Sequence, residues 1–107
     1  MEEQLCTEKW VERVAIVAAA EELDMLTAPQ LRDAVQSALA QNPAGLIVDL
    51  TSVDFLGSAG MQVLMEAHNQ TGETRRFAVV ADGPATSRPL KITGIADLIA
   101  LHSSLDD

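Results

Sequence analysis

The chain has 107 residues, 48% of them hydrophobic, which is enough for one domain with a buried core and too little for two. Its 16 acidic and 7 basic side chains give a formal net charge of -9, which would repel nucleic-acid phosphates and anionic membrane surfaces. No apolar run approaches the roughly 18 residues that span a membrane, and the acidic amino terminus does not resemble a secretory signal. We therefore expect residues 1–107 to form a single cytoplasmic domain with neither nucleic-acid nor membrane partners.

The first part of the chain, residues 5–20, predicts a β-hairpin. Its second strand is Val14 to Ala19, and the charged region Lys9 to Arg13 is expected to hold the turn and the edge. Trp10 is predicted to pack against the core, because tryptophan is highly buried on average. The lone cysteine, Cys6, has no partner for an internal disulfide and is predicted to be a small, partly buried strand residue.

A first helix is predicted after this hairpin. Thr27 followed by Gln30 has the pattern of a capping box, and Pro29 is tolerated in a first turn. Asn42 and Pro43 are expected to stop the helix. Apolar side chains recur on one face at helical spacing, at Leu31, Ala34, Val35, Ala38 and Leu39.

The centre of the sequence predicts a strand, a turn and a second helix. The apolar run from Leu46 to Val48 is typical of a strand covered on both faces, and Asp49 is expected to end it. Gly57 can take a positive φ, and Ser58 is a residue type favoured at helix N-caps, so the helix is predicted to begin at Ser58 with its hydroxyl capping the first turn. Beyond that turn, most of the helix is expected to be buried through Met61, Leu64, Met65 and His68, with Val63 and Ala67 widening the stripe.

The last third of the chain continues this alternation. Residues 69–72 are predicted to end the second helix, and Phe77 to Ala81 to form a strand with an exit loop at 82–84. A short helix capped by Thr86 or Ser87 and closed by Gly94 is expected next, followed by a short strand at 98–101 and the beginning of a helix at 103–107. Strands alternating with helices predict a sheet with parallel, right-handed connections.

Two segments resemble the STAS-domain anti-sigma factor antagonists. The segment D-L-T-S-V-D-F-L-G-S-A-G-M, from Asp49 to Met61, is similar to the family's signature, and A-E-E-L-D-M-L-T-A-P-Q-L, from Ala20 to Leu31, is similar to its pattern G-x-L-D-x-x-T-A-x-x-L. Order and spacing agree across nearly the whole chain. The resemblance implies an α/β fold with a mixed sheet of four to five strands and helices mainly on one face. It also implies a final amphipathic helix, of which this chain holds only the start.

The resemblance also implies a function and a site. Ser58 falls where the family carries its phosphorylated serine. The unphosphorylated form is expected to bind an anti-sigma factor of the serine kinase type and so release a sigma factor. That kinase would phosphorylate Ser58, and a phosphatase would reverse it. The partner-binding surface is expected to be contiguous and exposed, and to consist of Asp24, Met25, Thr27, Gly57, Ser58, Ala59, Gly60 and Gln62.

Other readings of the same residues are weaker, and no catalytic residue, metal or cofactor is predicted. A nucleophile elbow needs glycine two residues before the serine, where this chain has Leu56, and His68 lies roughly 15 Å along the helix from Ser58. A receiver domain would explain Asp49 at a strand end, but the stretch FAVVADG supplies no lysine.

A STAS adaptor that is never phosphorylated and serves as a scaffold remains the alternative. The family usually has an acidic residue before the serine and Ser or Thr after it, where this chain has Gly57 and Ala59.

Overall fold

The computed structural model describes residues 6–72 and 75–102. The predicted helix start at 103–107 and the first hairpin residue, Leu5, lie outside the described residues. The strands are β1 (Cys6–Val11), β2 (Val14–Leu23), β3 (Gly45–Leu56), β4 (Arg76–Val80) and β5 (Ala100–His102); the helices are α1 (Ala28–Leu39), α2 (Ser58–Thr71) and α3 (Pro84–Ile92), followed by a 3₁₀ turn at Ile95–Asp97. No helix within the described residues is long and apolar enough to cross a membrane.

The five strands form one mixed sheet in the order β1-β2-β3-β4-β5. The β1 and β2 strands are antiparallel, whereas β2 to β5 are parallel to one another. Alternate residues of β2 and β3 share one buried cluster with side chains of all three helices, among them Leu31, Leu64 and Leu90. The helices therefore cover the same face of the sheet, and the predicted fold class is confirmed.

The predicted hairpin is confirmed, with Val11 paired to Val14 at its turn. Trp10 packs against the core cluster as predicted, and its indole N-H donates a hydrogen bond of 2.6 Å to the Glu8 carboxylate. Cys6 is half-buried, and burial raises the pKa of its thiol to about 11. The reactive thiolate is therefore disfavoured at neutral pH.

The predicted end of the central strand at Asp49 is wrong, because β3 continues to Leu56. Asp49 is only the last residue paired with β4, where it lies opposite Val80. Beyond it, β3 pairs with β2 alone. The 12 residues of β3 match 10 of β2, and two bulges in β3 absorb the difference.

The first helix lies where the sequence predicts it, but the capping box does not form. Thr27 is the N-cap residue with φ -102° and ψ -22°, and its side chain makes no capping hydrogen bond. Instead, its hydroxyl donates to the carbonyl of Glu22 at 2.6 Å. Asn42, with φ 59°, lies just beyond the helix end and confirms the predicted stop.

The second helix begins at Ser58 as predicted, but its buried face is rotated from the predicted stripe. Met61, Met65 and His68 are only partly buried. The positions that face the core are Gly60, Val63, Leu64, Ala67 and Thr71. The small residues among them let the helix axis approach the sheet, a tertiary effect that hydrophobic periodicity does not reveal.

The third helix begins earlier than predicted. Its N-cap is Gly83, whose carbonyl accepts hydrogen bonds from the backbone N-H groups of Thr86 and Ser87, so neither of those side chains is the cap. Gly94 adopts φ 84° just past the helix end, in agreement with the predicted closing glycine.

Candidate partner-binding site

The two segments expected to form the site are joined by a backbone hydrogen bond. Leu23 and Leu56 are the last paired residues of β2 and β3, and Gly57 N donates to the carbonyl of Leu23 at 2.9 Å. Since neighbouring strands lie about 4.8 Å apart, the turn that follows β2 and the first turn of α2 are adjacent. Asp24 therefore lies beside the start of the Ser58 helix, at the carboxyl end of both strands.

The turn after β2 is held by the side chain of Asp24. Its Oδ1 accepts hydrogen bonds from the backbone N-H groups of Leu26 at 2.9 Å and Thr27 at 3.0 Å. The Thr27 N-H and then the Leu26 N-H lower the pKa of this carboxyl from its ordinary value, so it is ionised at neutral pH. The turn presents Met25 and Leu26 to solvent, with 81% and 85% of their surface exposed.

Ser58 is exposed at the first helical position of α2. The cap is Gly57, which is still extended at φ -88° and ψ 177° and whose carbonyl accepts the N-H of Met61 at 3.1 Å. The predicted capping role of the Ser58 hydroxyl is therefore wrong, and Gly57 does not use the positive φ that glycine allows. Within residues 6–72 and 75–102, no group hydrogen-bonds the Ser58 hydroxyl, which leaves it accessible.

The eight residues expected to form the surface differ in exposure. Met25, Ser58 and Gln62 are exposed, whereas Asp24, Thr27, Gly57 and Ala59 are partly buried. The expected exposure of Gly60 is wrong, because this residue is buried against the ends of the two strands. A Cβ atom at Gly60 would lie 2.8 Å from Leu56 Cδ1 and 3.0 Å from Leu23 Cβ. Gly60 thus allows the first turn of α2 to pack closely on the ends of the two strands.

We expect Gly60→Val to lower the free energy of unfolding by about 1–3 kcal/mol, the usual cost of overpacking. Valine is a better helix former than glycine, so the loss would come from packing against Leu23 and Leu56. Thermal unfolding followed by circular dichroism measures it. Gln62→Val is the matched control, because it adds the same side chain to an exposed position of the same helix. Equal losses in the two variants would contradict the packing role.

Two exposed apolar residues next to the site were missed in the sequence. Leu26 is one of them: it follows Met25 in the turn, and its place between Asp24 and Thr27 is a signal for exposure. Phe55 is the other, with 52% of its surface exposed although it belongs to the central strand. Its orientation depends on a β-bulge, for which the sequence carries no local signal.

Comparison with known proteins agrees with this fold. Residues 9–107 match the model of the STAS domain. The curated anti-sigma-F factor antagonist RsfB of Mycobacterium tuberculosis is 37% identical over 94 residues, which cover 88% of this chain and 77% of that protein.

Solved structures give the same result. The crystal structure of an anti-sigma factor antagonist from Mycobacterium paratuberculosis is similar with a TM-score of 0.92 at 38% identity, covering 95% of this chain and 87% of that one. The phosphorylated form of Bacillus SpoIIAA shares the fold with a TM-score of 0.71 at 15% identity, covering 94% of each chain. The chain belongs to the STAS-domain family of anti-sigma factor antagonists.

Proposed function

We propose that this protein binds an anti-sigma factor of the serine kinase type, thereby releases a sigma factor, and is switched off by phosphorylation of Ser58. The observation that carries the proposal is the exposed Ser58 hydroxyl at the start of α2, beside the turn of Asp24 to Thr27. The names of its relatives support an anti-sigma factor as the partner. On this proposal the protein is a regulator, and catalysis belongs to the kinase and to a phosphatase.

The partner would contact two segments, the turn and the first turn of α2. Gly60 supports this surface from its buried position against Leu23 and Leu56. The residues that would contact the partner are the other seven predicted above: Asp24, Met25, Thr27, Gly57, Ser58, Ala59 and Gln62. Gly57 and Ala59 flank Ser58 with almost no side-chain volume, so a complementary surface can approach the helix start closely. Close approach of this kind makes the contact sensitive to any added group on Ser58.

Phosphorylation would change this surface without opposing the fold. The kinase would transfer the γ-phosphoryl group of ATP to Ser58 Oγ, with loss of the hydroxyl proton and departure of ADP. The phosphate carries about -1.5 to -2 charges, which the helix dipole favours at an N-terminus. In the complex, however, the phosphate would be buried next to the ionised Asp24. The desolvation cost and the like charge would expel the partner.

Binding to purified anti-sigma factors tests the proposal. The panel consists of the ATPase-type anti-sigma factors of the source organism and the anti-sigma-F factor of Mycobacterium tuberculosis, each titrated by calorimetry. We expect at least one member to bind, to add a single phosphate to Ser58 when ATP is supplied, and then to lose affinity by more than about tenfold, as a charge clash at an interface requires. The phosphate is located by mass spectrometry. Failure of every member to bind would refute the function.

The scaffold alternative has an observation of its own. Gly57 and Ala59 replace the acidic residue and the hydroxyl residue that flank the serine in most of the family, and these changes bear on recognition by a kinase. Binding to a panel member without any phosphate on Ser58 in the presence of ATP would favour the adaptor. The same experiment therefore separates the two functions.

A further inference from the structure

Phe55 is an aromatic side chain that the fold turns away from its core. Its neighbours in β3, Val53 and Leu56, are buried, whereas 52% of the surface of Phe55 is exposed. Large apolar side chains dominate the energetics of both cores and interfaces. An aromatic ring left half outside the core, close to a proposed interaction site, is therefore a candidate contact.

A β-bulge sets this orientation. Glu21 pairs with Val53, but the next residue of β2, Glu22, pairs with Phe55, so Asp54 is the extra residue. Continued alternation from the buried Val53 would turn Phe55 inward. With the extra residue, Leu56 takes the inward position, and Phe55 is exposed together with Glu22. Bulges often aim a side chain at a functional site in this way.

The ring of Phe55 lies against Gly57. A Cβ atom at Gly57 would be 3.1 Å from Phe55 Cε2, so a larger residue would force the ring to move. Glycine at this position therefore leaves room for the ring beside the start of α2. Met25 and Leu26 are presented by the adjacent turn, because Gly57 N is hydrogen-bonded to the carbonyl of Leu23.

The charges within the two segments that carry this apolar group all have one sign. Residues 20–31 and 51–62 contain no Lys, Arg or His and four carboxylates. Glu21, Glu22 and Asp54 are exposed, and Asp24 is held in the turn. An apolar centre with an acidic edge is complementary to an apolar recess with a basic edge.

We propose that Phe55, Met25 and Leu26 form an apolar anchor that inserts into a recess of the anti-sigma partner, a recess whose edge carries basic side chains. This inference rests on the proposed function and names the residues that supply its affinity. The acidic edge accelerates association, and the anchor slows dissociation. Phe55 is the central member, because the bulge turns it outward and Gly57 leaves room for its ring beside the start of α2.

Single alanine variants test the anchor against the panel member that binds. We expect Phe55→Ala to weaken affinity by at least about tenfold, mainly through faster dissociation, as is usual for an aromatic hot spot. Phe55→Leu, which keeps an apolar side chain, should lose less. Leu98→Ala is the matched control: Leu98 is 58% exposed but precedes β5, an edge strand that β4 separates from β3, and this variant should bind within about twofold of wild type. Thermal unfolding verifies that the variants are folded.

The acidic edge has a separate kinetic signature. Glu22→Gln should slow association and reduce its dependence on salt while leaving the dissociation rate unchanged. Surface plasmon resonance at several salt concentrations measures both rates. An unchanged association rate would overturn the assignment of the basic edge to the partner.

The outcomes distinguish the anchor from the function on which it rests. If a panel member binds wild type and Phe55→Ala equally well, the anchor is overturned and the proposed function stands. If no member binds wild type, both fail. If Phe55→Ala instead converts a dimer into a monomer in sedimentation experiments and leaves partner affinity unchanged, the ring belongs to an interface between copies of this chain, which also overturns the anchor.

Discussion

Ser58→Glu is expected to weaken binding of the anti-sigma partner by about a hundredfold, equivalent to about 2.8 kcal/mol at 1.4 kcal/mol per tenfold. The carboxylate would enter the contact with the partner, and the residues that flank it, Gly57 and Ala59, carry no compensating charge. It would also lie beside Asp24, whose pKa is lowered by the Thr27 N-H and which is therefore ionised. Burial of a second anion there carries both a desolvation cost and like-charge repulsion.

The same substitution should leave the fold intact. Ser58 is the first helical residue of α2 and its side chain caps nothing, so no capping hydrogen bond is lost. A carboxylate in the first turn of a helix contributes about 0.3–1 kcal/mol in the stabilising direction. Thermal unfolding should therefore show a Tm that is unchanged or higher by a few degrees.

Two further variants separate charge from size in the calorimetric titration. Ser58→Gln has nearly the volume of glutamate without its charge, and we expect it to lose clearly less affinity than Ser58→Glu. Ser58→Ala should bind like wild type and should not lose binding when ATP is added. If the glutamate and the alanine variants both bound with wild-type affinity, the proposed phosphorylation switch at Ser58 would be refuted. The protein would then be an adaptor that is not switched by phosphorylation.

Leu23→Ala is expected to be the most destabilising change near the site. Leu23 is fully buried, and its Cβ lies where Gly60 meets the strand ends. Truncating a buried leucine to alanine costs about 2–5 kcal/mol through lost burial and the cavity left behind. For a domain of this size, the Tm should fall by roughly 10 °C or more.

Met25→Ala is the matched control for stability. It removes an apolar side chain two positions further along, but Met25 is exposed, so we expect a change of less than about 0.5 kcal/mol. Chemical denaturation of the two variants measures the difference. A comparable loss in both would show that the junction between β2 and α2 is not packed as described.

The turn between β2 and α1 was predicted only in part from local sequence patterns. Asp24 and Thr27 belong to a recognisable motif, and the helix that follows shows its buried face in the spacing of Leu31, Val35 and Ala38. The capping box was wrong because the Thr27 hydroxyl bonds to Glu22 and the turn is closed by Asp24 instead. The capping box and the observed turn both fit the same sequence. The observed turn forms because the end of β2 places the Glu22 carbonyl within reach of the Thr27 hydroxyl.

The site itself was recognised from motif resemblance, but its shape was not. Ser58 stands at the helix start as predicted, whereas the burial of Gly60 and the exposure of Phe55 and Leu26 were not predicted. Each of these depends on atoms contributed by the other strand. Gly60 is buried because Leu23 lies beneath it, and Phe55 is turned outward because β2 offers one residue fewer than β3 at the bulge.

The sequence by itself determined the order of strands and helices, the hairpin, the buried face of α1 and the position of Ser58, because hydrophobic period and turn residues act between neighbours in the chain. Only the tertiary structure decided the length of β3, the rotation of α2 and which apolar side chains face solvent. The length of β3 and the exposure of Phe55 arise from the register between β2 and β3, whose pairing absorbs two extra residues, whereas the small residues of α2 set its buried face. Register is set by packing between segments about thirty residues apart, and a shift of one residue exchanges the two faces of a strand.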